Sequence, residues 1–124
     1  MVVDELASTI RATRPMVAAK DFAVSQAFYR DVGFVGRPLN DTLVEMSLGS
    51  CSFILQDYYQ REWAENSVLH LYVSDLAPWW ARIEPVATRH SVRFRAPHRS
   101  DWGATIADLI DPAGVLWTLH ETKS

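Results

Sequence analysis

Hydrophobic and polar positions alternate with period two along several short segments of the chain. Near the C-terminus, Thr105, Ala107 and Leu109 alternate with Ile106, Asp108 and Ile110. Such alternation predicts a strand with two unlike faces. Asp111-Pro112-Ala113-Gly114 then has turn chemistry: Asp can cap its own turn, Pro presets φ, and Gly accepts the strained exit. The β-branched and aromatic residues 115–120 predict the returning strand. Further strands are predicted over residues 14–20, 34–38, 42–48, 51–58, 68–74 and 92–95. Asp21 can cap a helix whose buried face is Phe22, Ala27, Phe28 and Val32, and Gly33 would end it. Asp75 can cap a second helix carrying Trp79, Trp80, Ile83 and Val86, with Pro78 in its first turn, where proline is tolerated. Residues 4–12 predict a short N-terminal helix with Leu6, Ile10 and Thr13 along one stripe.

The element order β-α-β-β-β therefore occurs twice. Asp21 and Asp75 lie 54 positions apart and set the two halves in register. We divide the chain into an extension (1–13) and a single α+β domain over 14–121, with module one at about 14–58 and module two at about 67–121. Residues 57–66 read as a connector. In each of four strands one face is wholly apolar: Val17 and Ala19; Phe53 and Leu55 with Cys51; Leu69, Leu71 and Val73; and Val115, Trp117 and Leu119. The opposite faces are mixed, with Arg14, Met16 and Ala18 in the first strand and Ser52, Ile54, Gln56 and Tyr58 in the fourth. Val68, His70 and Tyr72 form the mixed face of the fifth, and Leu116, Thr118 and His120 that of the eighth. A mixed face bearing aromatic residues suits a ligand cup.

Two stretches resemble a known superfamily. Trp102-Gly103, then Asp111-Pro112-Ala113-Gly114 and a short apolar strand, are similar to the closing hairpin of the vicinal oxygen chelate proteins. Those proteins include glyoxalase I, the extradiol dioxygenases and the bleomycin-resistance proteins. Val17-Ala-Ala-Lys-Asp21 followed by Ser25-Gln-Ala-Phe-Tyr-Arg-Asp-Val-Gly-Phe34 resembles the strand, cap and first helix of the same family. The resemblance implies two modules forming a curved mixed sheet around a cup, with helices outside. It also implies a homodimer, in which cups are often built from modules of both chains.

The family's metal ligands are His, Glu or Gln at symmetry-related strand positions. The resemblance places those positions here at Arg14, Val68 and Thr118, with Gln56 or its neighbour Leu55 as the fourth. Arg, Val and Thr offer neither imidazole nor carboxylate. The departure points to the metal-free, drug-sequestering branch, with no cofactor and no bond broken. The expected ligand-contacting residues are Arg14, Gln56, Tyr58, His70, Tyr72, Trp102, Thr118 and His120. His70 and His120 also admit two other readings: hydrogen-bonded strand histidines, or a displaced metal site completed by Gln56 or Glu45. The runner-up function is a metal-dependent lyase, isomerase or dioxygenase with an altered ligand set. A third is a protein that binds another macromolecule through its exposed aromatic residues.

Composition narrows the classes. The chain has 124 residues, 48% of them hydrophobic and 22% charged, as in one globular domain with an ordinary core. A net charge of −3 disfavours a phosphate backbone as partner. No apolar run approaches the roughly 20 residues that span a bilayer, and no secretory signal is evident. The lone Cys51 falls on a packing face and fits a reducing cytoplasm. Arg89, Arg93, Arg95, His98 and Arg99 form a local basic stretch, read either as a solvated loop or as a surface that captures an anionic group.

Overall fold

The computed structural model describes residues 4–122. In the extension, Asp4 caps a short 3-10 turn, Glu5–Thr9, by accepting from the Leu6 N–H at 2.9 Å. A longer helix was expected over 4–12. Leu6 and Ile10 are 72% and 68% exposed, so the apolar stripe has nothing to bury against and only the capped turn forms.

Module one comprises β1 (Met16–Ala18), α1 (Phe22–Val32), β2 (Val35–Asn40), β3 (Leu43–Leu48) and β4 (Cys51–Gln56). Module two comprises β5 (Val68–Val73), α3 (Leu76–Arg89), β6 (Phe94–Arg99), β7 (Thr105–Ile110) and β8 (Leu116–Glu121). The sheets run β1-β4-β3-β2 and β5-β8-β7-β6, the same order twice, each with its first and last strands parallel. The α+β fold and its internal repeat are therefore as expected. Asp21 and Asp75 cap the two long helices, accepting from the Val24 and Ala77 N–H groups. Gly33 ends α1 at φ 125, a conformation open to glycine and strained for any residue with a Cβ.

Three details depart from the sequence-based expectation. The connector contains a further helix, α2 (Arg61–Asn66), held by an Arg61–Glu65 pair one turn apart and by a fully buried Ala64. It is too short to show a periodic stripe. β6 extends to Arg99, beyond the expected end at residue 95; Pro97 is accommodated by a register shift between Arg95 and His98 on an edge strand. In α1 the buried face includes Ser25 and Tyr29 with Phe28 and Val32, while Ala27 is exposed.

The apolar faces of the two sheets meet in one core. Phe53 of β4 and Trp117 of β8 pack edge to face at 5.5 Å, with Tyr29 and Phe34 against both. The mixed faces consequently point away from this shared core. At its centre, the Tyr29 hydroxyl donates to Asp111 Oδ2 at 2.5 Å and accepts from Trp117 Nε1 at 2.9 Å. Asp111 Oδ1 accepts from the Ala113 and Val115 N–H groups, closing the turn between β7 and β8. Burial pushes the Asp111 carboxyl up, against the lowering effect of its donors. Burial and the neighbouring Asp111 charge push the Tyr29 hydroxyl well above its usual value. On the outside, Asp31 of α1 bridges to His90 and Arg89 at the end of α3, at 2.7 and 3.1 Å.

Tyr29→Phe should cost about 1–3 kcal/mol, because it strands one buried acceptor and one buried donor. A urea midpoint unchanged from wild type would remove the hydrogen-bonded centre assigned here. The His90 hydrogen bond, followed by that from Arg89, holds the Asp31 carboxyl below its usual value. A lowered carboxylate contributes stability above the ordinary carboxylate range and loses it as pH falls through its own lowered value. Asp31→Asn should therefore flatten the acid limb of stability against pH. Parallel curves for wild type and variant would contradict the bridge.

Candidate functional site

Strand register assembles the mixed face of module two into rows. His70 of β5 lies beside Thr118 of β8, which faces Asp108 of β7, which faces Arg95 of β6. One row along, Tyr72 lies beside His120, then Ile106, then His98. On the other side Val68, Leu116 and Ile110 form an apolar row, and the Ile110 N–H donates to the Arg93 carbonyl. Alternation along β6 puts Arg93 and Arg95 on this same face.

Four of the eight sequence-predicted residues are contiguous here. His70 Nδ1 and His120 Nε2 lie 2.8 Å apart, so one ring donates and the other accepts, which requires a neutral acceptor. Tyr72 stacks on His120 with centroids 4.6 Å apart and planes 17° from parallel, and remains 62% exposed. Thr118 donates to Asp108 Oδ1 at 2.8 Å. Burial, then the neighbouring His70, holds the His120 imidazole below its usual value, against a smaller raising effect of Asp108. Asp108 was not singled out in the sequence, although its place between Ile106 and Ile110 marked it as the polar residue of that face.

The other four lie elsewhere. Arg14 approaches Glu45 of β3 at 3.6 Å, and Arg37 of β2 binds the same carboxylate at 2.9 Å. The Arg37 hydrogen bond, aided by the charge of Arg14, keeps Glu45 below its usual pKa. Gln56 ends β4 beside Ala18 and Leu43. Tyr58 follows it, its ring 5.8 Å from Trp63. Trp102, 70% exposed, stands in the loop between β6 and β7. Among the described residues, no hydrogen bond or ring contact joins Tyr58 or Trp102 to the histidine pair.

Equivalent rows correct one assumed symmetry. The module-one row Met16–Ile54–Glu45–Arg37 matches His70–Thr118–Asp108–Arg95, and Ala18–Gln56 matches Tyr72–His120. Gln56 is therefore the counterpart of His120, not of Thr118, whose counterpart is Ile54. Counting from the Asp-Pro-x-Gly turn could not reveal this, because both strands' registers enter.

Two depressions flank the module-two face. The larger, about 530 Å³, runs along β5 and includes Thr13, Pro15, Cys51, Val68, His70 and Tyr72, a volume suited to a small molecule. A smaller one of about 280 Å³ is lined by Arg93, Phe94, Arg95, Asp108, Ile110 and Leu116. Among the described residues no three His, Cys, Asp or Glu side chains converge as a metal cluster. The implied ligand positions fit a divalent cation poorly: Arg14 repels it, Val68 has no donor, Thr118 offers a neutral hydroxyl that already donates to Asp108, and Gln56 is the one ligand-type side chain of the four.

No protein-family model matches the chain, and no curated protein does. Solved structures do. A bleomycin-binding protein complexed with bleomycin is 23% identical, with 92% of this chain and 100% of that one covered at a TM-score of 0.79. The bleomycin-binding protein of Streptomyces verticillus, complexed with copper(II)-bleomycin, is 16% identical over 92% of this chain and 98% of its own, at 0.75. Lactoylglutathione lyase from Agrobacterium tumefaciens is 22% identical over 90% and 92%, at 0.66. At these identities the likeness establishes the fold.

A histidine lowered in the folded state protonates more readily when unfolded, so its contribution to stability grows with pH between its lowered value and the ordinary 6.5. His70→Ala should raise the His120 titration midpoint while leaving it below 6.5, because burial is the larger cause. Proton–nitrogen NMR titration of both proteins measures it. An unmoved midpoint would show that the two rings do not interact in solution.

Proposed function

We propose that this chain, which has the fold of the vicinal oxygen chelate superfamily, is a metal-independent small-molecule-binding protein. It acts by sequestration, as a cytoplasmic homodimer. The observation that carries the reading is the exposed Tyr72 ring stacked on His120 beside a depression of about 530 Å³. Three of the four side chains where the family's metal ligands would stand, Arg14, Val68 and Thr118, offer neither imidazole nor carboxylate, which supports the metal-free reading. A planar ligand stacks on Tyr72, and the His70–His120 pair and Thr118 supply hydrogen bonds that orient it. Binding alone, with no bond broken, withdraws the ligand from its target. Several solved structures of this fold are bleomycin-binding proteins, and that supports a ligand-holding role. Bleomycin itself does not follow, because function lives in the site rather than the fold.

The homodimer reading draws support from exposed apolar residues on the mixed faces, Met16 (43%), Val68 (48%) and Tyr72 (62%). A second copy laid against these faces would close each half-cup, bringing Arg14, Gln56 and Tyr58 of one chain toward module two of its partner. Trp102 then serves as a rim aromatic. One observation favours a second reading. Two imidazoles 2.8 Å apart could turn to ligate a metal with a donor from elsewhere, giving a lyase, isomerase or dioxygenase with a displaced site.

Protein dialysed against Ni, Zn, Fe and Mn should retain no near-stoichiometric metal by mass spectrometry. Thermal-shift screening should find planar compounds that raise Tm saturably and are recovered unchanged. Tyr72→Ala should weaken such a compound about two- to tenfold, the range of one aromatic contact. Stoichiometric metal with turnover would replace this reading by the enzymatic one.

A further inference from the structure

The geometry points to a ligand of stated chemistry for the module-two face: a planar ring joined by an apolar stretch to an acidic group about 16 Å away. This inference rests on the small-molecule reading and specifies what that site takes. Its evidence is the different fate of two equivalent arginines. Arg37 and Arg95 occupy matching places on the edge strands, each opposite an acid, Glu45 and Asp108. Arg37 binds its acid at 2.9 Å. Asp108 instead accepts the Thr118 hydroxyl at 2.8 Å. Arg95 and its face-mate Arg93 are exposed and make no ion pair among the described residues.

With His120 held toward its neutral form, the face carries two guanidinium groups against one carboxylate. Its free charge is positive although the chain's net charge is −3. A guanidinium fork matches a carboxylate, sulfonate or phosphate with two parallel hydrogen bonds. Both arginines line the depression of about 280 Å³, whose floor includes Ile110 and Leu116. The stacking ring lies on the other side of the same face, at Tyr72 and His120. Neighbouring strands are about 4.8 Å apart, β5 to β6 is three spacings, and Arg95 lies one row (about 7 Å) along from Tyr72, so the ring-to-acid distance is about 16 Å. Between them lie Ile106, Ile110 and Leu116, with Thr118 and the Asp108 carboxylate to which it donates as the polar interruptions. A ligand bridging these ends thus presents aromatic, apolar and anionic parts in that order.

The probes are 2-naphthyl-alkanoic acids of increasing chain length and their primary amides, titrated calorimetrically into the wild-type protein. The acid should bind at least about tenfold tighter than its amide at the chain length that sets ring and carboxylate about 16 Å apart. The preference should shrink with added salt. Arg93→Glu/Arg95→Glu should abolish it while leaving amide binding in place. Arg99→Glu, a charge reversal next to His98 on the same strand and so facing the other way, should change it little. Equal binding of acid and amide by the wild type would overturn the inference. If Tyr72→Ala then weakened both equally, the small-molecule reading would survive. An Arg99→Glu effect as large as the double variant's would overturn it too, by showing only a diffuse field. Failure of every naphthyl probe to bind would likewise overturn it, and the broader reading would then be judged by the thermal-shift screen.

Discussion

The hydrogen-bonded centre of Tyr29, Asp111 and Trp117 is the constraint on which the remaining structure depends. One phenol from α1 donates to the carboxylate that closes the β7–β8 turn and accepts from the indole of β8. Its partners lie 82 and 88 residues away in sequence, in the other module. A buried carboxylate without donors would cost several kcal/mol. Here the Tyr29 hydroxyl and two backbone N–H groups satisfy it. The same bonds fix where β8 begins, and therefore which of its residues lie beside β5. The position of His120 against Tyr72 is set, at one remove, by a turn buried on the other side of the sheet.

Duplication supplies two nearly equal scaffolds, and their chemistry has diverged row by row. Module one closes its acid with two arginines, Arg14 and Arg37, and places Met16 and Ile54 where module two places His70 and Thr118. Module two leaves Arg93 and Arg95 without an ion pair among the described residues and gathers its stacked aromatic and imidazole rings at β5 and β8. The fold requires only that the inward positions be apolar. Outward positions were free to change without disturbing the shared core of Phe53, Phe34, Tyr29 and Trp117. This is why a shared scaffold with bleomycin-binding proteins and a lactoylglutathione lyase leaves the ligand to be argued from side chains.

Much of the fold was legible because its signals are local. The Asp21 and Asp75 caps, the Asp-Pro-x-Gly turn and strict alternation at 68–73 and 115–120 each act over a few residues. They sorted inward from outward positions correctly for Phe53, Leu55, Val73, Trp117 and Leu119. What escaped was non-local. The sequence placed His70 and His120 on one face, but their contact depends on a parallel register between strands 50 residues apart. Asp111 read as a turn residue, and nothing nearby announced Tyr29 as its partner. The sixth strand runs past its expected end at residue 95 and through Pro97, whose tolerance depends on an edge position that no local signal shows. Gln56 and Thr118 looked equivalent by counting and are offset by one pair once register is known.

The two outer strands share a further property. β2 carries Pro38 and a register shift between Pro38 and Asn40; β6 carries Pro97 and a shift between Arg95 and His98. A proline offers no N–H, and a bulge breaks the even spacing that an incoming strand must match. Each sheet thus has one blunted border and one regular border, formed by β1 in the first and β5 in the second. Growth by strand addition is discouraged at these two blunted borders. Any backbone ladder the protein does extend will start beside the histidine-bearing strand or its module-one counterpart, the two edge strands that contain neither a proline nor a register shift.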